Sequence, residues 1–153
     1  LSETDKYNAL GIPKNITATK ALVKEWMSNH TPPRVTSYTL SIRLSDSSDF
    51  IGLFGITVSS EKYQKAEIWY KLHKDHWGQG YATEACKSVI DYCFLYLDVH
   101  RIEAGAATDN AASHRVLTKI GMQQEGIKRQ ILPLKTGWSD SIEYGLLRDE
   151  YYA

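Results

Sequence analysis

A mixed α/β domain is what this sequence predicts, and three observations carry that reading. Strand-like segments at 38–44, 50–58 and 66–72 come before a long helical pattern at 81–97. That pattern opens directly after a glycine turn, Gly78-Gln79-Gly80. A further strand, a short helix and a hairpin pattern complete the chain, so helices and strands are interleaved.

Each element has its own warrant. Residues 17–29 read as a helix, with Leu22, Val23, Trp26 and Met27 as an apolar stripe, and the Pro32-Pro33 pair within 30–34 breaks it. Tyr38, Leu40, Ile42 and Leu44 alternate with polar residues, as a half-buried strand does. The turn at 45–49 leads into a more uniformly apolar strand at 50–58. Ala66, Ile68, Tyr70 and Leu72 alternate again and run into the glycine turn. From 81 to 97 the apolar positions Ala82, Ala85, Cys86, Val89, Ile90, Cys93 and Leu97 recur at steps of three and four, one face of a helix. Ile102, Ala104 and Ala106 mark a short strand, and residues 108–110 offer helix caps. The helix that follows runs to Ile120 and stops at Gly121, and 122–132 with 138–147 form a closing hairpin.

Bulk properties exclude several classes. The 153 residues fit one domain, 1–153, with a real core. Lysine plus arginine (18) equal aspartate plus glutamate (18), so no basic field points to nucleic acid or to a membrane surface. No apolar run is long enough to cross a bilayer, and no signal peptide is visible. Cys86 and Cys93 lie seven apart in a helical pattern, roughly 10 Å of axial rise, too far for a disulfide. They read as reduced core residues, and a cytoplasmic location is expected. The chain opens at Leu1 rather than methionine, which leaves room for N-terminal sequence before it.

The turn at 78–80 poses the functional question. A strand leading through glycines into a helix aims backbone N–H groups and a helix N-terminus at one spot, which suits a phosphate. A plain chain reversal fits equally well on these residues alone. A dinucleotide fingerprint needs a third glycine where Thr83 stands, and a Walker loop needs Gly-Lys-Ser/Thr, which is absent.

A second segment decides between them. After the next strand comes TDNAASHRVLTKIGM, residues 108–122: an asparagine, a short helix, then Lys-x-Gly and a bulky apolar residue. Taken with AEIWYKLHKDHWGQGYATEA (66–85), HRIEAGAATDNAASHRVLTKIGM (100–122) and DSIEYGLLRDEYY (140–152), this order and spacing resemble the GNAT superfamily of N-acetyltransferases. Within it, the chain looks most like the branch that acetylates ribosomal-protein N-termini. Weaker agreement extends upstream to about Tyr7.

The resemblance implies a mostly antiparallel mixed sheet flanked by helices, with acetyl-coenzyme A at a splay between two central parallel strands. It implies that backbone N–H groups of Gly78, Gln79, Gly80, Tyr81, Ala82 and Thr83 hold the pyrophosphate. The backbone of Tyr70, Lys71 and Leu72 would pair with the pantetheine as an added strand does, and Asn110 would touch the cofactor arm. No metal is required, and a homodimer follows from the resemblance only. Two positions depart from the family pattern: Trp77 replaces the usual Arg or Gln at the start of the phosphate loop, and Leu117 replaces a frequent tyrosine. The family's first strand has no counterpart upstream of Tyr7, which implies an exposed sheet edge.

Acetyl transfer to an amine needs a neutral amine, a stabilised oxyanion and a departing thiolate. Deprotonating a lysine-like ammonium at pH 7 costs about 4.6 kcal/mol, and a peptide α-amine only about 1 kcal/mol. A base therefore matters most for strongly basic acceptors. Glu67, on the strand beside the thioester, is the first candidate, acting through water, with Glu103 in reserve. Each reads equally as a solvated strand-face charge. Ser113 matches the serine of the ribosomal branch and is placed at the departing thiolate, although a serine there can instead serve backbone N–H groups. Trp69 shares the strand face of Glu67 and borders the expected amine pocket.

The five histidines show no metal-ligand spacing and read as surface or loop residues. Trp26, Trp69, Trp138 and Tyr151-Tyr152 read as core or groove aromatics. The expected activity is acetyl transfer from acetyl-coenzyme A, by direct attack on the thioester, to a protein or peptide N-terminal amine. The alternatives are a small amine acceptor (a polyamine, amino acid or drug) and a non-catalytic acyl-coenzyme A-binding module.

Overall fold

The computed structural model describes residues 2–9, 11–30 and 35–153. The helix break assigned to Pro32-Pro33 lies outside the described residues. Among the described residues six strands form one sheet: β1 (Ser37–Arg43), β2 (Phe50–Val58), β3 (Lys65–Leu72), β4 (Arg101–Ala107), β5 (Gln123–Leu134) and β6 (Gly137–Leu147). Their order across the sheet is β1-β2-β3-β4-β6-β5. Only the central pair, β3 with β4, is parallel; the others are antiparallel. The helices are α1 (Ser2–Asp5), α2 (Ile16–Ser28), α3 (Tyr81–Tyr96), α4 (Ala111–Lys119) and α5 (Arg148–Tyr151).

The parallel pair requires a crossover, and α3 supplies it. Its buried stripe of Cys86, Ile90, Cys93 and Phe94 packs on inward-facing residues of the strands: Phe54 and Ile56 of β2, Ala66 and Ile68 of β3, and Ile102, Ala104 and Ala106 of β4. From α4, Leu117 closes the same core. Period-2 alternation in the strands and period-3.6 alternation in α3 thus meet on one side of the sheet. Both cysteines are free and fully covered, and burial pushes each thiol up to about 12.

Some expectations need correction. The apolar stripe of α2 is only partly covered: Val23 is 41% and Met27 72% exposed, because α2 leans on β1 at the sheet's edge and no residue of the helix is fully buried. Of the two places expected for Trp138, core or groove, it takes the groove: it is 66% exposed and lines a shallow recess with Lys6 and Tyr7. Tyr151 and Tyr152 pack their rings on Phe94, with Tyr152 half exposed. Residues 2–5, which carried no helical pattern, form α1. Among the described residues β1 is an edge strand, and no helix is long and apolar enough to cross a membrane.

Ile102 stands opposite Ala66 in the short parallel ladder and is fully buried. Ile102→Ala should lower the unfolding free energy by about 2–5 kcal/mol, read from urea denaturation midpoints, because the sheet cannot collapse into the space vacated.

Candidate active site

The two central strands pair over only three registers: Lys65 with Arg101, Ala66 with Ile102, and Glu67 with Glu103. Beyond Glu67 they part. β3 stays on β2 as far as the Gly52–Leu72 pair, while β4 stays on β6 as far as the Ala107–Ser141 pair. Between them opens a cleft of about 700 Å³, walled by residues 68–72 of β3 and 104–107 of β4. The facing strand edges bring N–H and C=O groups that have no partner in the opposite strand.

The glycine turn closes one end of this cleft. A 3-10 turn (Lys74–His76) leaves β3, and the Trp77 indole Nε1–H donates to the Leu72 carbonyl at 2.9 Å. The Gln79 side chain turns back and donates to the Asp75 carbonyl at 2.8 Å. Trp77 therefore anchors the loop to the end of the strand, a task that needs no arginine. Gly78 and Gly80 both have positive φ, +73° and +89°, and a Cβ on either would meet nothing within 4 Å. Gly80 caps α3 without a side-chain bond, and the first bond into the helix is Glu84 N–H to the Gly80 carbonyl at 3.0 Å. The N–H groups of Tyr81, Ala82 and Thr83 are thus left at an open helix N-terminus beside empty space, an arrangement suited to an anion.

The opposite wall comes from the β4–α4 junction. The Asn110 carboxamide oxygen caps α4 by accepting from the Ser113 N–H at 3.2 Å, which releases the Ser113 hydroxyl from capping. Sequence reasoning missed what holds this junction. His114 Nε2 faces two carbonyl oxygens, Ala107 at 3.0 Å and Thr108 at 3.2 Å, so it carries a proton. Its Nδ1 meets the buried Tyr144 hydroxyl at 2.9 Å. His114 is therefore a structural clamp between β4, α4 and β6, not a loop histidine.

Side chains of β3 alternate across the cleft. Tyr70 points to the helix side, stacked on Phe54 with ring centroids 6.0 Å apart. On the other side lie Glu67, Trp69 and Lys71. The Trp69 indole rests on Gly55 of β2, where an added Cβ would fall 2.0 Å from the ring. Lys71 lines the cleft; burial lowers its pKa, and Asp5 partly offsets that. Glu67 is exposed at the vertex where the strands part and does not line the cleft itself. Glu103 accepts from Lys65 and from Arg101, each at 2.9 Å. Burial opposes its ionisation, but those two bonds prevail and hold its carboxyl below the usual range. That carboxylate is committed to the sheet.

Residues 3–9 roof the cleft through Glu3, Thr4, Tyr7, Asn8 and Ala9. Three tethers hold the roof. Tyr7 donates to the Asp109 carbonyl at 2.8 Å, Lys74 pairs with Glu3 at 3.2 Å, and Lys135 from the β5–β6 turn pairs with the buried Asp5. Among the described residues, no group of three or more metal-binding side chains occurs.

Comparison with known proteins fits this geometry. Residues 2–123 match the acetyltransferase (GNAT) domain family. The chain is 35% identical to the uncharacterized N-acetyltransferase p20 of Bacillus licheniformis, over 72% of this chain and 62% of that one. It is 33% identical to the putative ribosomal N-acetyltransferase YdaF of Bacillus subtilis (strain 168), over 65% of this chain and 55% of that one. Among solved structures, it superposes on Mycobacterium smegmatis RimJ in complex with CoA-disulfide with a TM-score of 0.81 and 25% identity, covering 88% of this chain and 63% of RimJ. The chain thus spans less than two thirds of the length of these three proteins. With its parallel strands splayed beside an uncapped helix N-terminus and most of its length matched, the chain belongs to the GNAT acetyltransferase domain family.

Proposed function

We propose that residues 1–153 act as a single acetyltransferase domain that moves an acetyl group from acetyl-coenzyme A to a primary amine. The observation that carries this is the cleft: two strand edges with unshared backbone groups, ending at an open helix N-terminus with room for a diphosphate. The residues fit the group. Backbone N–H groups from Gly78 to Thr83, Gln79 included, hold the pyrophosphate. The backbone of Tyr70, Lys71 and Leu72 pairs with the amide arm, and the Asn110 side chain lies beside it. When bound, acetyl-coenzyme A supplies an activated acetyl thioester.

In this reading Glu67, at the vertex of the splay, takes the proton of the incoming amine through water, since Glu103 is held by Lys65 and Arg101. Ser113, freed from capping by Asn110, donates its O–H toward the departing sulfur. Trp69 and the roof formed by residues 3–9 border the amine. The favoured acceptor is a protein or peptide N-terminus, supported by the likeness to YdaF and by the small cost of deprotonating an α-amine. A homodimer remains part of this proposal by family likeness only, and a cytoplasmic location goes with such an acceptor.

Thermal melts with acetyl-coenzyme A, and with NAD as the control, test the cofactor. At a hundredfold excess over Kd, binding adds about 2.7 kcal/mol, roughly 5–10 °C for a domain of this size. A shift with NAD as large as that with acetyl-coenzyme A would overturn the reading. Rates on an N-terminal peptide should exceed those on spermidine; the reverse order would assign a small-amine acceptor.

Gly80→Asp and Gly80→Asn place side chains of similar size, both tolerant of positive φ, at the same spot. The aspartate should bind acetyl-coenzyme A roughly tenfold more weakly than the asparagine, because its charge opposes phosphate at the helix end. Equal affinities would move the anion elsewhere. Glu67→Gln should slow turnover most at low pH, where the amine is hardest to deprotonate. A loss uniform across the pH profile would mean that Glu67 only shapes the pocket.

A further inference from the structure

The strangest group in the cleft is the Tyr70 phenol. Its Oη is buried and makes no hydrogen bond, although buried hydroxyls are almost always paired. Stacking on Phe54 fixes the ring, so the oxygen cannot swing out to solvent without breaking that contact. Tyr70 and Ser113 both line the cleft, one from β3 and the other from α4. Burial, with Cys86 of α3 adding to it, pushes the phenol above its ordinary range. The Ser113 hydroxyl draws it partly back without closing a bond. Ser113 and Leu117 are one turn apart on α4, so the phenol reaches from β3 toward the wall where the family's usual tyrosine is replaced by Leu117.

We infer that Tyr70 is a second hydroxyl donor to the coenzyme A sulfur, paired with Ser113 across the cleft. The inference rests on the acetyl-coenzyme A reading above and adds to it a residue whose backbone alone was assigned there. The amine nitrogen bonds to the acetyl carbon and the C–S bond breaks, its electron pair staying on sulfur. The amine's proton goes to water and Glu67. The thiolate leaves between two O–H donors, and both hydroxyls keep their protons. A phenol held well above the thiol's ordinary pKa of about 8.5 is suited to this role, because it donates a hydrogen bond without ionising.

The test titrates the thiol of coenzyme A bound to the protein, followed by ultraviolet thiolate absorbance below about pH 9, where ordinary tyrosines are silent. Cys86 and Cys93 do not interfere, since burial pushes both up to about 12. In the wild-type complex the thiol should ionise below its value in free coenzyme A. Tyr70→Phe keeps the ring on Phe54 and should raise the bound thiol's pKa by about one unit, a tenfold change in the ionisation constant. Ser113→Ala should raise it less than the double variant does, the remaining depression being the phenol's own. Coenzyme A affinity, measured by calorimetry, should change less than threefold in Tyr70→Phe. An unchanged thiol titration in Tyr70→Phe, or no remaining depression in Ser113→Ala, would overturn the pair while leaving the cofactor assignment intact. Failure of the wild-type chain to bind coenzyme A would overturn both.

Discussion

The parting of β3 and β4 after the Glu67–Glu103 pair is the constraint on which the rest of the structure depends. A sheet normally satisfies its backbone by lateral pairing, and two central strands that separate forgo those bonds. They stay apart because each is held from its other side, β3 by β2 and β4 by β6, over almost their full lengths. Beneath the vertex, Ile102 and Ala66 pack against α3, so the short ladder is supported by burial more than by hydrogen bonds. The gap is thus a fixed property of the fold, and the loop and helix ends around it inherit its geometry.

Charge is distributed around that gap with the same economy. Arg101 reaches Glu103 on its own strand and Glu125 on β5, while Lys128 reaches Glu143 on β6. The hydrogen bond from Arg101 holds the Glu125 carboxyl below its usual range, and these pairs knit β4, β6 and β5 on the sheet's open face. Their individual contributions to stability are small, since most of the partners are partly exposed. Their effect on the site is larger. Glu103 is held by Lys65 and Arg101, and Glu67, one strand over, stands exposed at the vertex with the charge of Lys128 acting on it.

Much of this was legible in the sequence because it is periodic or local. Alternation located the strands, the three-and-four spacing located α3, and the glycines located the turn. Asn110 announced its helix by type. What stayed hidden depends on contacts between residues far apart in the chain. The His114–Tyr144 clamp joins residues 30 apart, and the Tyr7–Asp109 tether joins residues 102 apart. Neither leaves a period. The seat of Trp69 on Gly55 is a cross-strand fit, visible only once the register is known. Composition left Trp138 between core and groove, and only hairpin geometry decides: it sits near the start of β6, lining a shallow recess and largely exposed.

The clasp between Asp5 and Lys135 has a consequence for how the cleft answers its surroundings. The Lys135 hydrogen bond holds the Asp5 carboxyl below the usual range, burial opposing and Asn8 assisting. A depressed carboxyl contributes its stability above its unfolded value, about 3.9, and loses it only as pH falls through the folded one. Throughout the neutral range the Asp5 carboxylate is therefore ionised, and its contribution does not change with pH. Its lysine, however, is 65% exposed, and an ammonium so placed feels the ionic atmosphere. Salt rather than acid is therefore the variable to which this clasp over the cleft answers.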